Sequence, residues 1–317
     1  MKTNRIMALA LSLVLMGTAA FAATSKKANT VTITVIGLTG VAGGGQDQNL
    51  NGGLENFIKG QNNPNNVEVK FVDVDREAAL KDPKYEGLNL DYMPLYLVEK
   101  NKITEEKFAE AIKYGQLKAN NDFIIFEKQT GNGVYVNRKP IPNQLEIFVM
   151  SQCPYGVQAE ERIINAMKLD KLPKNVNINI RYIASEDGNS FNSLHGSAEW
   201  EEDVRQLIIK KYYPQKFWNY LEIRNKDYKS SLWDEAAEKA GINPKVFKKY
   251  WKEGLEMLRE EVKHGNEYNV NSSPTVIWEG RVVTNMGSLG SLPGFEEMAK
   301  TFGGGSGAAA QQPSGSC

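Results

Sequence analysis

Cysteine and histidine are scarce in this chain, with two of each among 317 residues. Two cysteines exclude a disulfide-dense scaffold and any cysteine-only zinc site. Two distant histidines with one fixed cysteine make no ligand set, so neither a metal nor another cofactor is expected. Net charge is missing as well, since 38 Lys+Arg offset 38 Asp+Glu. That balance leaves no electrostatic footprint for nucleic acid or an anionic membrane surface. Beyond the N-terminus no stretch reaches the roughly 18 apolar residues of a membrane-spanning helix. What remains is an ordinary globular composition, 41% hydrophobic and 24% charged, in a chain long enough for two domains.

Residues 1 to about 23 stand apart from the rest. Lys2 and Arg5 precede an apolar run from Ile6 through Met16, and Ala20-Phe21-Ala22 places small residues where a signal peptidase reads. The run is too short to span a bilayer, and no cysteine follows it for lipid attachment. The chain is therefore expected to be exported, soluble, and periplasmic or extracellular; an uncleaved anchor of the same length is the alternative. Export puts thiols where they can be oxidised, which singles out Cys153 and Cys317. Residues 303–317 read GGGSGAAAQQPSGSC, a composition that behaves as a flexible linker. Cys317 at its end is expected to be mobile and exposed.

The cluster NRKPIPNQ at 137–144 separates two halves that each begin with a strand-like apolar run. In the first half come the strand Val31–Ile36, a glycine-rich loop at 40–45, a short helix carrying Leu54, Phe57 and Ile58, and a strand with alternating Val67, Val69 and Phe71. Met93-Pro94 then leads into Leu95–Val98, followed by a helix at about 104–118 and an expected terminal hairpin from Phe123–Phe126 and Gly133–Val136. The second half repeats this order. The strand Leu145–Met150 runs into Ser151-Gln-Cys-Pro-Tyr-Gly156, a helix to about Leu169 and the strand Val176–Ile183. Ser273-Pro274-Thr275, the strand Val276–Trp278, the strand Arg281–Thr284 and a helix from about Phe295 to Thr301 complete it. The intervening 184–270 reads as an all-helical insertion. Trp200, Val204, Leu207 and Ile208 share one face, as do Phe247, Tyr250, Trp251, Leu255 and Leu258.

Cys153 carries the chemistry. At the end of a strand, with Pro154 at the first helical position, it falls near a helix N-cap, where proline's missing N–H costs nothing. Unpaired backbone N–H groups and the positive end of the helix dipole favour thiolate over thiol, lowering the pKa from about 8.5 towards a range useful for exchange. A structural buried cysteine is the alternative. Burial would need an apolar wall, however, and Ser151, Gln152 and Gly156 do not form one.

With FVMSQCPYG at 148–156, the helical insertion and Ser273-Pro274-Thr275-Val276, the second half resembles thioredoxin-fold thiol–disulfide oxidoreductases of the DsbA type, with gamma-interferon-inducible lysosomal thiol reductase as a relative. The resemblance covers about 145–302, roughly half of the chain. It implies that Cys153 is the attacking cysteine and Pro274 a cis-proline facing it. Pro154, Tyr155, Ser273 and Thr275 would then bind an extended substrate segment, and thiol- or disulfide-containing proteins are the implied partners. A cis X-Pro suits that place because it turns the chain sharply and exposes backbone groups for strand pairing.

Where the family carries its second cysteine, three positions on, this chain has Gly156. A lone cysteine stalls as a mixed disulfide until another thiol resolves it. Three readings are open. Cys317 could resolve it, since a linker of about 15 residues has an r.m.s. reach of roughly 20 Å and gives a millimolar effective concentration. Cys153 could act as a monothiol with glutathione or a partner reductase. Alternatively, redox activity is lost and the fold serves binding or a chaperone-like role. The cysteine-free first half resembles the redox-silent domains beside active ones in protein disulfide isomerases, on the order of its elements and with Met93-Pro94 at the cis-proline place. Substrate binding or homodimer formation is its implied job. The expected fold class is α/β, with two tandem thioredoxin-like domains at 30–137 and 145–302, the second interrupted at about 184–270.

Rival chemistries are poorly supported. The loop at 40–45 lacks both the G-x-G-x-x-G spacing and a Gly-Lys-Ser/Thr ending. His195 and His264, the only bases for a cysteine hydrolase, both fall in the insertion. Asp73, Asp75 and Glu77 read as a strand end and helix cap rather than calcium ligands. Asn271-Ser-Ser273 matches a glycosylation sequon but adjoins the groove. The aromatic cluster Tyr212, Tyr213, Phe217, Trp218 and Tyr220 reads as helix packing, with an apolar wall for extended substrates as the sharper alternative.

Overall fold

A computed structural model describes residues 29–41, 43–127, 132–302 and 317. The segment read as a signal and tail residues 303–316 lie outside the described residues. The chain divides into two compact units, Met1–Asn137 and Arg138–Cys317. No helix among the described residues is long and apolar enough to cross a membrane.

In the first unit the elements run β1 (Asn29–Gly37), α1 (Gln48–Lys59), β2 (Val67–Asp75), α2 (Arg76–Ala79), β3 (Tyr92–Met93), β4 (Leu95–Glu99), α3 (Lys102–Lys113), β5 (Lys118–Ala119), β6 (Phe123–Phe126) and β7 (Gly133–Tyr135). Five strands form a sheet in the order β2-β1-β4-β6-β5, with β1 and β2 parallel and the other pairs antiparallel. Successive strand side chains point to opposite faces, so β1 and β4 feed two cores. Val31, Ile33, Val35, Tyr96 and Val98 meet Leu54, Ile58 and Phe108 on one face. Ile36, Leu95 and Leu97 meet Ala79, Tyr85 and Phe123 on the other. Asp47 caps α1 by accepting from the Asn49 and Leu50 amides, and Asn101 with Thr104 forms a reciprocal capping box on α3. Asp75 closes β2 and caps α2 by accepting from the Glu77 amide.

The expected hairpin of Phe123–Phe126 with Gly133–Val136 does not form. β6 lies between β4 and β5, and β7 pairs with β3 through Tyr92↔Tyr135 and Met93↔Val134. Asn120 accepts from the Asp122 and Phe123 amides, and this turn binds β6 to the strand just before it.

The second unit contains β8 (Gln144–Val149), α4 (Pro154–Lys168), β9 (Asn177–Tyr182), β10 (Ser185–Asp187), β11 (Ser190–Asn192), α5 (Ser197–Tyr212), α6 (Pro214–Arg224), α7 (Trp233–Lys239), α8 (Lys245–Glu267), β12 (Thr275–Trp278), β13 (Val282–Thr284) and α9 (Glu296–Phe302). β8 runs parallel to β9 and antiparallel to β12, which pairs antiparallel with β13. This order of strand, helix, parallel strand, insertion, antiparallel strand pair and helix is a thioredoxin-like α/β arrangement. Leu145, Ile147, Phe148 and Val149 of β8 are fully buried, each worth about 1.5–3 kcal/mol relative to exposure.

The insertion is not wholly helical, because it opens with the β10–β11 hairpin. Asp187 pairs with Ser190 across the two-residue turn Gly188-Asn189, and Gly188 adopts φ 59°. A glycine at positive φ in the first turn position suits such a turn, and the strands on either side are mostly exposed apart from the buried Phe191. Further on, α5 packs closely against α8. A Cβ on Gly254 of α8 would lie 2.6 Å from a Val204 methyl of α5. Glu146 of β8 is fully buried and is held by Arg181 of β9 (2.7 Å) and His264 of α8 (3.0 Å); Arg181 also reaches Glu261 of α8 (2.9 Å). This network ties the central strand to the longest insertion helix.

Candidate functional site

The site begins where β8 ends. The Cys153 amide donates to the Met150 carbonyl at 3.0 Å, closing a tight turn that hands the chain to α4. Cys153 is the N-cap of α4, with extended dihedrals (φ −80°, ψ 123°). Pro154 follows inside the first turn, and no side chain caps the helix. The sulfur thus stands at the positive end of a fifteen-residue helix, where negative charge on it is stabilised.

Cys153 is joined to Cys317 by a disulfide, with Cα atoms 6.1 Å apart and 164 positions between them in sequence. Cys317 is also seated by its backbone. Its amide donates to the Ser273 carbonyl at 3.1 Å, and its carbonyl accepts from the Ser273 amide at 3.3 Å. These two reciprocal bonds are those of an antiparallel bridge. The Ser273-Pro274 peptide is cis, as is Met93-Pro94 in the first unit. The Ser273 carbonyl oxygen lies 3.6 Å from Cys153 Sγ.

Two sequence expectations about these cysteines need correction. Cys317, read as mobile and exposed, is partly buried and anchored on Ser273. Cys153 is fully buried, and Ser151, Gln152 and Gly156 are buried with it. The start of α5 anchors the loop that carries it. The buried Glu199 side chain accepts from the Gln152 amide (3.0 Å), and the Glu199 carbonyl accepts from the Ser151 hydroxyl (3.1 Å). His195 Nδ1 lies 2.8 Å from the same Glu199 oxygen. On the opposite side the Met150 amide donates to Ser273 Oγ at 2.9 Å. Each residue from Met150 to Gln152 is therefore held by a long-range hydrogen bond, and the loop that delivers the sulfur is fixed before any substrate arrives.

The other residues proposed for the groove surround this centre. Pro154 and Tyr155 are half-buried on the first turn of α4, and Pro274 and Thr275 are half-buried at the start of β12. Thr275 donates to the Ser272 carbonyl at 2.7 Å and pairs with Phe148 in the sheet. Cys153, Ser273 and Cys317 are in direct contact. His264 is engaged with Glu146 instead. In the aromatic cluster, Phe217 and Tyr220 are buried, whereas Tyr212, Tyr213 and Trp218 are half-buried.

Gly156 explains why a cysteine three positions after Cys153 does not suit this chain. A Cβ there would lie 2.6 Å from Ser273 Oγ, 3.0 Å from the Met150 carbonyl oxygen and 3.2 Å from Val149 Cβ. The Ser273 hydroxyl and the strand backbone already occupy that space. Alanine normally stabilises a helix relative to glycine by about 1 kcal/mol, but here the sign should reverse. Gly156→Ala and Gly156→Cys are each expected to lower stability by about 1–3 kcal/mol through overpacking. Urea unfolding checks this, and a gain in stability for the alanine variant would refute it.

Sequence periodicity missed the buried acids beneath the site, because it assigns charged residues to the solvent face. Glu160 lies two turns along α4 from Cys153 and accepts from Asn225 Nδ2 at 2.9 Å. Burial pushes its carboxyl pKa up to about 8. Asp203 on α5 is pushed well above the carboxylate range by burial and by the charge of Glu199. Folded Glu160 keeps a proton that the unfolded chain releases from about pH 4.5 upward, so its contribution to stability falls as pH rises from there through about 8. Glu160→Gln keeps the shape and removes the titration. It is expected to flatten the decline in urea midpoint between about pH 5 and 8; identical pH profiles for the two proteins would contradict that.

No protein-family model matches the sequence, and no curated protein matches it. Among solved structures, DsbA of Pseudomonas aeruginosa is similar at 16% identity and a TM-score of 0.38, over 56% of this chain and 91% of that one. Oxidised BdbD of Bacillus subtilis is similar at 17% identity and a TM-score of 0.36, over 50% and 84%. The disulfide oxidoreductase DsbA of Proteus mirabilis is similar at 15% identity and a TM-score of 0.36, over 52% and 87%. The thioredoxin-like assignment of the second unit rests on its own element order and strand pairing.

Proposed function

We propose that the chain is an exported thiol–disulfide oxidoreductase in which Cys153 is the nucleophile and Cys317 the resolving thiol. The observation that carries this reading is the covalent pairing of Cys153 with Cys317 at the N-terminus of α4, with Cys317 bridged by its backbone to Ser273. Cys317, paired with Ser273 through its backbone, is placed as a residue of an extended protein substrate would be.

In the reduced state the Cys153 thiolate attacks a substrate disulfide. A bond from Cys153 Sγ to one substrate sulfur forms as the substrate S–S bond breaks, and the other substrate sulfur leaves as thiolate. The Cys317 thiolate then attacks Cys153 Sγ. The substrate sulfur departs, and the Cys153–Cys317 disulfide closes, so that two electrons have passed from the dithiol to the substrate. An external thiol, glutathione or a reductase, reopens the disulfide; run in reverse, the same steps oxidise a substrate dithiol. The cysteine-free first unit supplies substrate-binding surface or a dimer contact, and signal cleavage leaves the protein in the periplasm or outside the cell.

The test is the glutathione-driven reduction of a protein disulfide with catalytic amounts of the protein. Acceleration that disappears in Cys153→Ser is expected. A rate equal to that of glutathione alone would contradict the reading and leave a binding protein on a thioredoxin scaffold.

A further inference from the structure

In the closed form the two sulfurs are not equivalent. Cys153 is fully buried, walled by Ser273, the first turn of α4 and the Glu199-anchored loop, whereas Cys317 is partly exposed. Thiolate attack on a disulfide runs in line with the S–S bond, so the attacking sulfur must come from behind the sulfur it strikes, opposite the one that leaves. Behind Cys153 that approach is filled by protein, but Cys317 has solvent beside it. The leaving group points the same way, since a thiolate departing at Cys153 is received at the N-terminus of a fifteen-residue helix. The thiol with the lower pKa leaves faster.

We infer that small thiols without peptide groups reopen the closed protein by attacking Cys317 Sγ, whereas only an extended peptide segment that replaces Cys317 along Ser273 reaches Cys153. This rests on the redox reading above and assigns its two classes of reactant to two different sulfurs. In the small-thiol step the attacking thiolate forms a bond to Cys317 Sγ as the Sγ–Sγ bond breaks, and the electron pair leaves with Cys153 as thiolate. A second thiolate then attacks the sulfur of the small thiol in this mixed disulfide. That releases the oxidised small-molecule disulfide and frees Cys317 as thiolate, and the protein has gained two electrons from two thiols. A peptide segment competes with Cys317 for the paired Ser273 amide and carbonyl, and a thiol without peptide groups, such as 2-mercaptoethanol, has no backbone to do so. Cys317 thus separates peptide-bearing reactants from simple thiols by shape.

The experiment starts from full-length protein in which mass mapping has verified the Cys153–Cys317 linkage. It is mixed briefly with 2-mercaptoethanol, quenched with N-ethylmaleimide and mapped again. 2-Mercaptoethanol on Cys317 with maleimide on Cys153 is expected to exceed the opposite labelling by about tenfold or more, as two effects acting in one direction suggest. Equal labelling, or 2-mercaptoethanol mainly on Cys153, overturns this inference and leaves the redox reading intact. Absence of the linkage in protein prepared under oxidising conditions overturns both.

Discussion

Cys317→Ser is expected to turn a protein that cycles into one that traps. With Cys153 intact, attack on a protein disulfide still proceeds, but the tethered thiol that would release the product is gone. The mixed disulfide on Cys153 then waits for a thiol from solution. A tethered thiol acts at about millimolar effective concentration, so with micromolar external thiol, release should slow by about a thousandfold. The adduct should accumulate as a covalent protein–protein species visible on a non-reducing gel and mapped to Cys153. Cys153→Ser, by contrast, should give no adduct and no turnover, because the remaining sulfur lacks the helix N-terminus that stabilises its thiolate. Adducts formed equally well by both variants would remove the distinction between nucleophile and resolving thiol.

Glu146→Ala is expected to cost about 3 kcal/mol at neutral pH. Removing one partner of a buried ionic network leaves the others uncompensated, and the usual cost is about 3–5 kcal/mol. Arg181 is partly exposed and keeps Glu261, which puts the expectation at the lower end. The wild-type network also has a pH signature. Burial alone would raise the Glu146 pKa, but the hydrogen bond from His264 and the charge of Arg181 outweigh it and hold it below the ordinary glutamate value. A depressed carboxylate contributes its full stability above its unfolded pKa, near 4.5, and loses it as pH falls through the lower folded value. Wild type should lose stability below about pH 4.5, and Glu146→Gln should lack that part of the loss. Urea midpoints at neutral and acid pH decide both points; a cost under about 1 kcal/mol for the alanine variant would show that the network contributes little.

The redox pair and the ionic network were legible in the sequence to different degrees. The strand-to-helix turn at Cys153 could be read because its determinants are local: the apolar run Leu145–Met150, and then a proline where a helix needs one less N–H. The β6 and β7 pairings could not, because β7 finds its partner in Tyr92–Met93, some 40 positions earlier, and nothing local announces such a contact. The β10–β11 hairpin was hidden because its strands are short and Phe191 is their single apolar residue, although the Gly188-Asn189 step was a usable turn signal. Periodicity placed the apolar face of α5 but gave no sign that Glu199, Glu202, Asp203, Arg205 and Gln206 on the same helix are also buried. From that missed face Glu199 anchors Ser151 and Gln152, next to Cys153. For the same reason the burial of the sulfur ran against expectation: the loop that carries it is fixed by hydrogen bonds to Glu199, and a sequence scan for apolar neighbours does not register them.

Catalysis in this scheme begins with a thiolate at Cys153, and the most direct test is the rate of Cys153 alkylation in the reduced protein as a function of pH, with labelling located by mass. A midpoint clearly below the ordinary cysteine value of about 8.5 is expected from a sulfur at the open N-terminus of α4. A midpoint at or above that value would contradict the proposed mechanism.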